Sequence, residues 1–292
     1  MQTFHIEQPG PLLDALARVI NNRTRAKKWL RLGRITVNGE AAGRHDQPLA
    51  AGDVVRIESN VVPTIPGRIP GLEIVFEDES ILVVDKPAGL LTIATDTERT
   101  KTAYFKVTEY LKSRQRGEPA RAFIVHRLDR ETSGLLLFAK TADAKQRLQD
   151  TWDDVEKRYF AIVEGAPAEP TGTVESDLTE TAALSVFSGR KTKRSKHAVT
   201  HYTVQKDCGP HSLIEVRTET GRKHQIRVHL ADLGHAIIGD DRYGKRRTSG
   251  RLGLHACFLR FRHPVSGEFI EFRSELPVEL ARTLASSKSK LR

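Results

Sequence analysis

The chain has 292 residues, 29% charged and 38% apolar, with a formal net charge of +10 and a pI of about 9.7. That fits a globular protein of one large domain, or a large and a small one, with a polyanionic partner, nucleic acid ahead of membrane. Two distant cysteines, Cys208 and Cys257, exclude a disulfide framework and fit a reducing compartment. No apolar run approaches the ~20 residues of a membrane span. MQTFHIEQPGPLLDAL lacks a basic stretch followed by an apolar core, so no secretory signal is expected and the expected location is cytoplasmic.

Residues 1–59 read as a small α/β module. Leu12, Leu13, Leu16, Val19 and Ile20 recur at helical spacing between Pro11 and Asn22. Thr24 is placed to cap a second helix, Arg25 to Leu32, which Gly33 ends. Arg23, Arg25, Lys27, Lys28, Arg31 and Arg34 fall within twelve residues that hold no acid. Asn38-Gly39 marks a hairpin turn, and Ala51-Gly52-Asp53 precedes a strand, Val54 to Glu58. A basic helix beside a hairpin suits the phosphates of structured RNA. A solvated helical face is the plainer alternative, and the missing acids count against it. The order helix, basic helix, GRITVNG, AGDVVRI resembles the RNA-binding module first known from a small-subunit ribosomal protein, the S-four-like domain. Residues 60–71, with three prolines and two glycines, read as a linker. A second domain is expected over 72–285 and a frayed basic tail over 286–292.

Glu73 to Phe76 and Ile81 to Val84 read as strands. Asp85-Lys86-Pro87-Ala88-Gly89 follows, then an unassigned stretch, 91–102, and a helix from Ala103 to Ser113. Leu135 to Ala139 is a short apolar run, a buried strand entered through a sharp turn at Gly134. His126 to Ser133 should therefore lie at the mouth of a sheet, where catalytic side chains tend to lie. Asp129 has Arg127 and Arg130 beside it and His126 nearby. Cationic neighbours keep a carboxylate ionised, fit to attack an electron-poor centre or to stabilise a cation. A salt-bridged structural loop fits the same residues.

Thr141 caps a helix running to about Asp150. Val155 to Gly165 reads as a strand with Tyr159 near its start, where core packing is the plain reading. Arg190, Lys191, Lys193, Arg194 and Lys196 form a mobile basic loop, either solvated or touching phosphates. Ser212 to Thr218 is a strand, and the loop from Thr220 feeds a helix that ends at Gly234. His224, His229 and His235 are five and six residues apart with no acid between the first two, so no metal is expected. Lys245, Arg246, Arg247 and Arg251 make another basic patch. Cys257 to Arg262 and Glu268 to Arg273 form a hairpin, and a helix starts at Pro277 and runs to Leu284. No internal repeat is present.

HRLDRETSGLLLFAK, from His126 to Lys140, resembles the central signature of the RluA-like RNA pseudouridine synthases. The protein-kinase loop H-R-D-L-x-x-x-N differs: Leu and Asp are transposed, and no D-F-G occurs. The resemblance runs from Leu72 to about Pro277 through separate motifs in family order. It implies an α+β catalytic domain with a mixed, mostly antiparallel sheet flanked by helices, and a cleft with Asp129 at its floor. Asp129 would be the essential catalytic residue. K-x-Y-x-A-x-V-x-G makes Tyr159 an active-site tyrosine, and T-G-R-x-H-Q-I-R-x-H makes Arg227 the partner of Asp129, expected as a bidentate pair. L-x-L-H-A puts Leu254 on the uracil pocket. The D-K-P-x-G element, at Asp85 to Gly89, packs beside the site. Residues 91–102 depart from the commoner Val and His-Pro continuation. Arg127 is the candidate to fill the gap left by a flipped base. The implied reaction isomerises uridine in RNA without cofactor or metal. Large-subunit ribosomal RNA is the expected partner, transfer RNA the alternative, and a monomer the default. A catalytically silent assembly factor and a uracil-releasing hydrolase are the readings from other classes.

Overall fold

A computed structural model describes residues 2–20, 23–31, 35–42, 44–57, 68–114, 121–181, 185–244 and 250–289. The first strands are β1 (Gln2–His5) and β2 (Gly10–Pro11), followed by helices α1 (Leu12–Ile20) and α2 (Arg23–Arg31). Then come β3 (Ile35–Val37), β4 (Glu40–Ala41), β5 (Pro48–Leu49) and β6 (Val54–Ile57). An antiparallel sheet of order β1-β6-β3-β4 forms, and β2 pairs with β5. Leu12, Leu13 and Leu16 on α1 meet Ala26 and Leu30 on α2 and the strand residues Ile35 and Val55 in one buried cluster. The Asn38-Gly39 turn forms as its residues require, with φ of 54° and 90°. Asn38 also accepts the Val54 N–H and donates to Asp53.

Two expectations shift here. The second helix is described from Arg23 to Arg31, so Thr24 lies within its bounds, while its side chain lies outside the described residues. β1 had not been anticipated. Residues 32–34, with Gly33 and Arg34, lie outside the described residues, as do the side chains of Arg25, Lys28 and Arg31.

The remaining strands build one larger sheet. They are β7 (Glu73–Glu77), β8 (Ile81–Lys86), β9 (Phe123–Ile124), β10 (Ser133–Ala139), β11 (Glu156–Glu164), β12 (Thr171–Glu180), β13 (Val186–Gly189), β14 (Lys196–Asp207), β15 (His211–Thr218), β16 (Leu254–Arg262) and β17 (Phe269–Arg273). Their order is β13-β12-β14-β15-β11-β16-β10-β8-β7, with β17 on β16 and β9 on β10. The β10–β16 pair is parallel and the other ladders are antiparallel. Four helices flank it: α3 (Ala103–Arg114), α4 (Ala142–Asp150), α5 (Gln225–Asp232) and α6 (Val278–Ser289). This is the expected α+β class with a mixed, mostly antiparallel sheet.

β10 explains the apolar run of the signature. All seven of its residues are buried. Leu136 and Phe138 join the cluster under α3, with Val107 and Leu111. Leu135, Leu137 and Ala139 join the opposite cluster under α4, with Ala144 and Leu148. A strand covered on both faces has no polar side to alternate with. Farther along the sheet, α5 covers Ala161, Val163, Ile214 and Val216 through Ile226 and Leu230. α6 packs Leu280 and Leu284 on Ile162 and Cys208.

The site lies where β10 and β16 begin to part. Their ladder pairs Ser133 with His255 and Gly134 with Ala256. Gly134 has φ of 112°, and a Cβ there would stand 2.3 Å from the Ala256 carbonyl oxygen. Only glycine lets the two backbones approach so closely. Ile69 and Leu72 bridge each other and are buried, so the end of the expected linker belongs to this core; residues 58–67 lie outside the described ones. α6 continues to Ser289, into the stretch expected as a frayed tail. Among the described residues no helix is long and apolar enough to cross a membrane.

Candidate active site

Asp129 lies on the loop from β9 to β10, which is fastened on both sides of it. Before it, Leu128 is buried, and its carbonyl and N–H both bond the Thr92 hydroxyl, at 2.6 and 3.2 Å. After it, the Arg130 carbonyl accepts from Gly89 N at 2.8 Å and from Lys86 Nζ at 3.2 Å. Lys86 is fully buried and also donates to the carbonyls of Pro87 and Leu90. Burial pushes its ammonium down to about 8 against the pull of Glu131 and Asp129. The D-K-P-x-G element and the divergent stretch 91–102 thus work as a clamp on the Asp129 loop.

The cation nearest the Asp129 carboxylate is not a sequence neighbour. Arg130 turns to Glu131 at 2.8 Å. His126 is packed beside Trp152 and accepts the Leu137 N–H through Nε2. Burial, then the charge of Lys157, depresses its pKa to about 3, so the ring is neutral. Arg227, on α5, supplies the charge instead, with Nη1 3.7 Å from Asp129 Oδ2, and the His224 ring just before α5 sets Nε2 3.8 Å from the same oxygen.

The expected bidentate pair between Arg227 and Asp129 does not form. Arg227 gives its fork to Asp240, with Nε–Oδ2 at 2.7 Å and Nη2–Oδ1 at 2.8 Å. Asp240 Oδ1 also accepts the N–H groups of Arg242 and Tyr243, each at 3.0 Å. Burial alone would raise the pKa of Asp240. The hydrogen bonds and charge of Arg227, with those two N–H groups, outweigh it and hold the carboxyl below its ordinary value. The reason for the substitution is geometric: the buried Gly-Asp turn is rigid and close, whereas Asp129 is partly open to solvent. The guanidinium also lies over the Tyr243 ring, 5.1 Å from its centroid.

Tyr159 is half-buried on β11, beside a bulge against β16. Burial, then the charge of Asp129, raises its pKa, so the phenol keeps its proton. Leu254 opens β16 and is buried. Asp129, Tyr159, Arg227, Leu254 and Arg127 line one cavity of about 100 Å³. Its far wall is the 220–225 loop, held by Gln225, whose carbonyl oxygen accepts from the Thr220 hydroxyl and Arg222 N and whose amide donates to Val199 O.

The three histidines diverge. His224 faces Asp129, His229 bonds Ser176 and Thr200, and His235 bonds the Glu164 carbonyl. Of the expected RNA contacts, Arg23 is exposed and pairs with Asp14 at 2.9 Å, and Lys27 is exposed. Arg190, Lys191, Lys193 and Arg194 are exposed on the connection from β13 to β14, and Lys196 is exposed at the start of β14. Lys245, Arg246 and Arg247 lie outside the described residues. Arg251 turns inward, to Ser133 at 2.5 Å and Glu279 at 3.5 Å, and leaves the expected basic patch. Sequence reasoning gives Asp240, His224, Lys86 and Thr92 no task; His224 and Lys86 lie inside motifs of the resemblance, which is the one available signal.

Residues 80–232 match the protein family described as RNA pseudouridylate synthase. The chain is 34% identical over 311 aligned positions to the ribosomal large subunit pseudouridine synthase D of Vibrio cholerae, covering 97% of this chain and 94% of that protein. Identity to the protein of the same name from Zymomonas mobilis is 38% over 233 positions, 74% and 72% of the two chains. The solved structure of human RNA Pseudouridylate Synthase Domain Containing 4 superposes with a TM-score of 0.63 at 23% identity, covering 74% of this chain and 93% of that one.

Proposed function

The chain belongs to the RNA pseudouridylate synthase family, and from that premise we propose that it converts uridine in large-subunit ribosomal RNA to pseudouridine, with Asp129 as the essential carboxylate. The observation that carries this reading is convergence. Asp129, Tyr159, Arg227 and Leu254 come from four separated stretches and line one cavity. The names of the bacterial relatives support ribosomal RNA as the substrate, and transfer RNA is the alternative. The N-terminal module, read as S-four-like, would hold the folded RNA through the basic residues of α2, and the 190–196 loop would add contacts. The protein would act as a monomer in the cytoplasm.

The bond from uracil N1 to the ribose breaks, leaving positive character on the sugar, as in glycoside hydrolysis. The ionised Asp129 stabilises that charge, either by bonding the ribose carbon as an ester or by taking the neighbouring ribose proton to give a glycal. The uracil turns in the cavity, C5 bonds the same ribose carbon, C5 gives up its proton and N1 gains one. Nothing is oxidised or lost, so the chemistry calls for no cofactor. The Tyr159 ring and Leu254 would keep water from the intermediate, and the target base must leave its stack to enter.

RNA carrying uridine tritiated at C5 tests this. Wild type releases the label to water, and Asp129→Asn lowers that rate by at least about a thousandfold. Ribosomal fragments should be labelled out faster than transfer RNA. Release by Asp129→Asn at the wild-type rate would sink the assignment. Free uracil among the products would favour a hydrolase, and intact binding with no release on either RNA an assembly factor.

A further inference from the structure

His224 stands in the cavity without a task. Two described non-glycine residues have positive φ: Asn38, in a hairpin turn where that is expected, and His224, at 53°, at the start of α5. The left-handed conformation is costly for such a residue and persists where the surroundings enforce it. Those surroundings also set its tautomer. Tyr243 Oη accepts the Val186 N–H at 3.0 Å and lies 2.7 Å from His224 Nδ1. A phenol oxygen that accepts that N–H still has its own proton to give, and with Nδ1 as its acceptor the ring hydrogen sits on Nε2. Nε2 faces Asp129 Oδ2 at 3.8 Å, the same oxygen that Arg227 Nη1 faces at 3.7 Å. A carboxylate shift of about 1 Å would turn both contacts into hydrogen bonds.

We propose that His224 is a positioning residue for Asp129, a neutral donor held in one tautomer by Tyr243 that brackets Oδ2 with Arg227 and leaves Oδ1 to meet the ribose. The inference rests on the reading of Asp129 above. A neutral donor orients the carboxylate without quenching its charge, as a second cation beside Arg227 would. The charged groups acting on the ring include Asp129, Arg227, Arg242, Lys223 and Glu180. Burial disfavours the imidazolium more than Asp129 favours it.

The test is label release at saturating RNA, with pH profiles, for His224→Asn, His224→Gln, Tyr243→Phe and Asp129→Asn. Asn tolerates the left-handed backbone but is too short to present its N–H to Asp129. His224→Asn should lower kcat by about thirtyfold with KM unchanged. His224→Gln restores an N–H at longer reach and should recover part of that loss. Tyr243→Phe removes the donor that favours the neutral ring, so the acid limb of kcat should move to higher pH. Wild-type kcat in His224→Asn overturns the inference, and so does an acid limb that stays put in Tyr243→Phe. If His224→Asn fails to fold by thermal unfolding, the Tyr243→Phe limb decides alone. An active Asp129→Asn removes the underlying reading; an inactive one beside a fully active His224→Asn removes only this inference.

Discussion

Arg227 and the loop from Arg190 to Lys196 use positive charge in opposite ways. The side chain of Arg227 is 8% exposed, with its fork on a carboxylate that is itself 0% exposed. The five loop cations are all exposed. A buried guanidinium is tolerable only when its desolvation is offset by close pairing, so its position is set by its carboxylate partner. An exposed lysine is fixed to nothing and is screened by salt. The first kind of charge can shape a reaction centre; the second can attract a polyanion and say little about which atom meets which. The comparison predicts that kcat belongs to one region and RNA affinity to the other.

Arg227→Lys should break the comparison most visibly. Lysine keeps the charge but has no planar fork, so it cannot hold Asp240 bidentately and face Asp129 together. A fall in kcat of about a hundredfold is expected at nearly unchanged RNA affinity. An equal loss of affinity would mean that the buried arginine also carries binding.

Replacing Arg190, Lys191, Lys193, Arg194 and Lys196 together by alanine should do the reverse. Affinity for the RNA should fall by about ten- to a hundredfold at moderate salt, and the slope of log K against log salt should flatten by about 3. The rate at saturating RNA should stay at the wild-type value. A binding titration at four salt concentrations checks the slope, and an unchanged slope would leave the loop as solvated surface.

What the sequence could tell differs between these regions for physical reasons. The apolar run from Leu135 to Ala139, the Asn38-Gly39 turn and the helix after Thr220 were legible because each follows from local composition. β12, β13 and β14 were not. β12 reads TGTVESDLTE, with Leu178 its one buried residue, so it has no apolar alternation to detect. Motif resemblance brought Asp129, Tyr159, Arg227 and Leu254 together, and the cavity does join them. It did not give their partners. Arg127 and Arg130 flank Asp129 in sequence, yet the Oδ2 contacts come from residues nearly a hundred positions later. Side-chain direction in a loop is set by what clamps it, here Thr92, Lys86 and Gly89, and no local pattern reports that.

Arg127 lies between the two kinds of charge and sharpens the comparison by the smallest effect. It is exposed, like the loop cations, but lines the cavity with Asp129. If it fills the space a flipped base vacates, its benefit appears only when a stack has been opened. Unstacking costs a few kcal/mol, and recovering about 1.4 kcal/mol of that is worth tenfold in rate. Arg127→Ala should therefore lower kcat/KM by up to about tenfold on folded ribosomal RNA and leave it unchanged on a short unstructured strand bearing the same uridine. Equal losses on both substrates would make Arg127 one more phosphate contact, and normal turnover on the folded RNA would remove it from the reaction altogether.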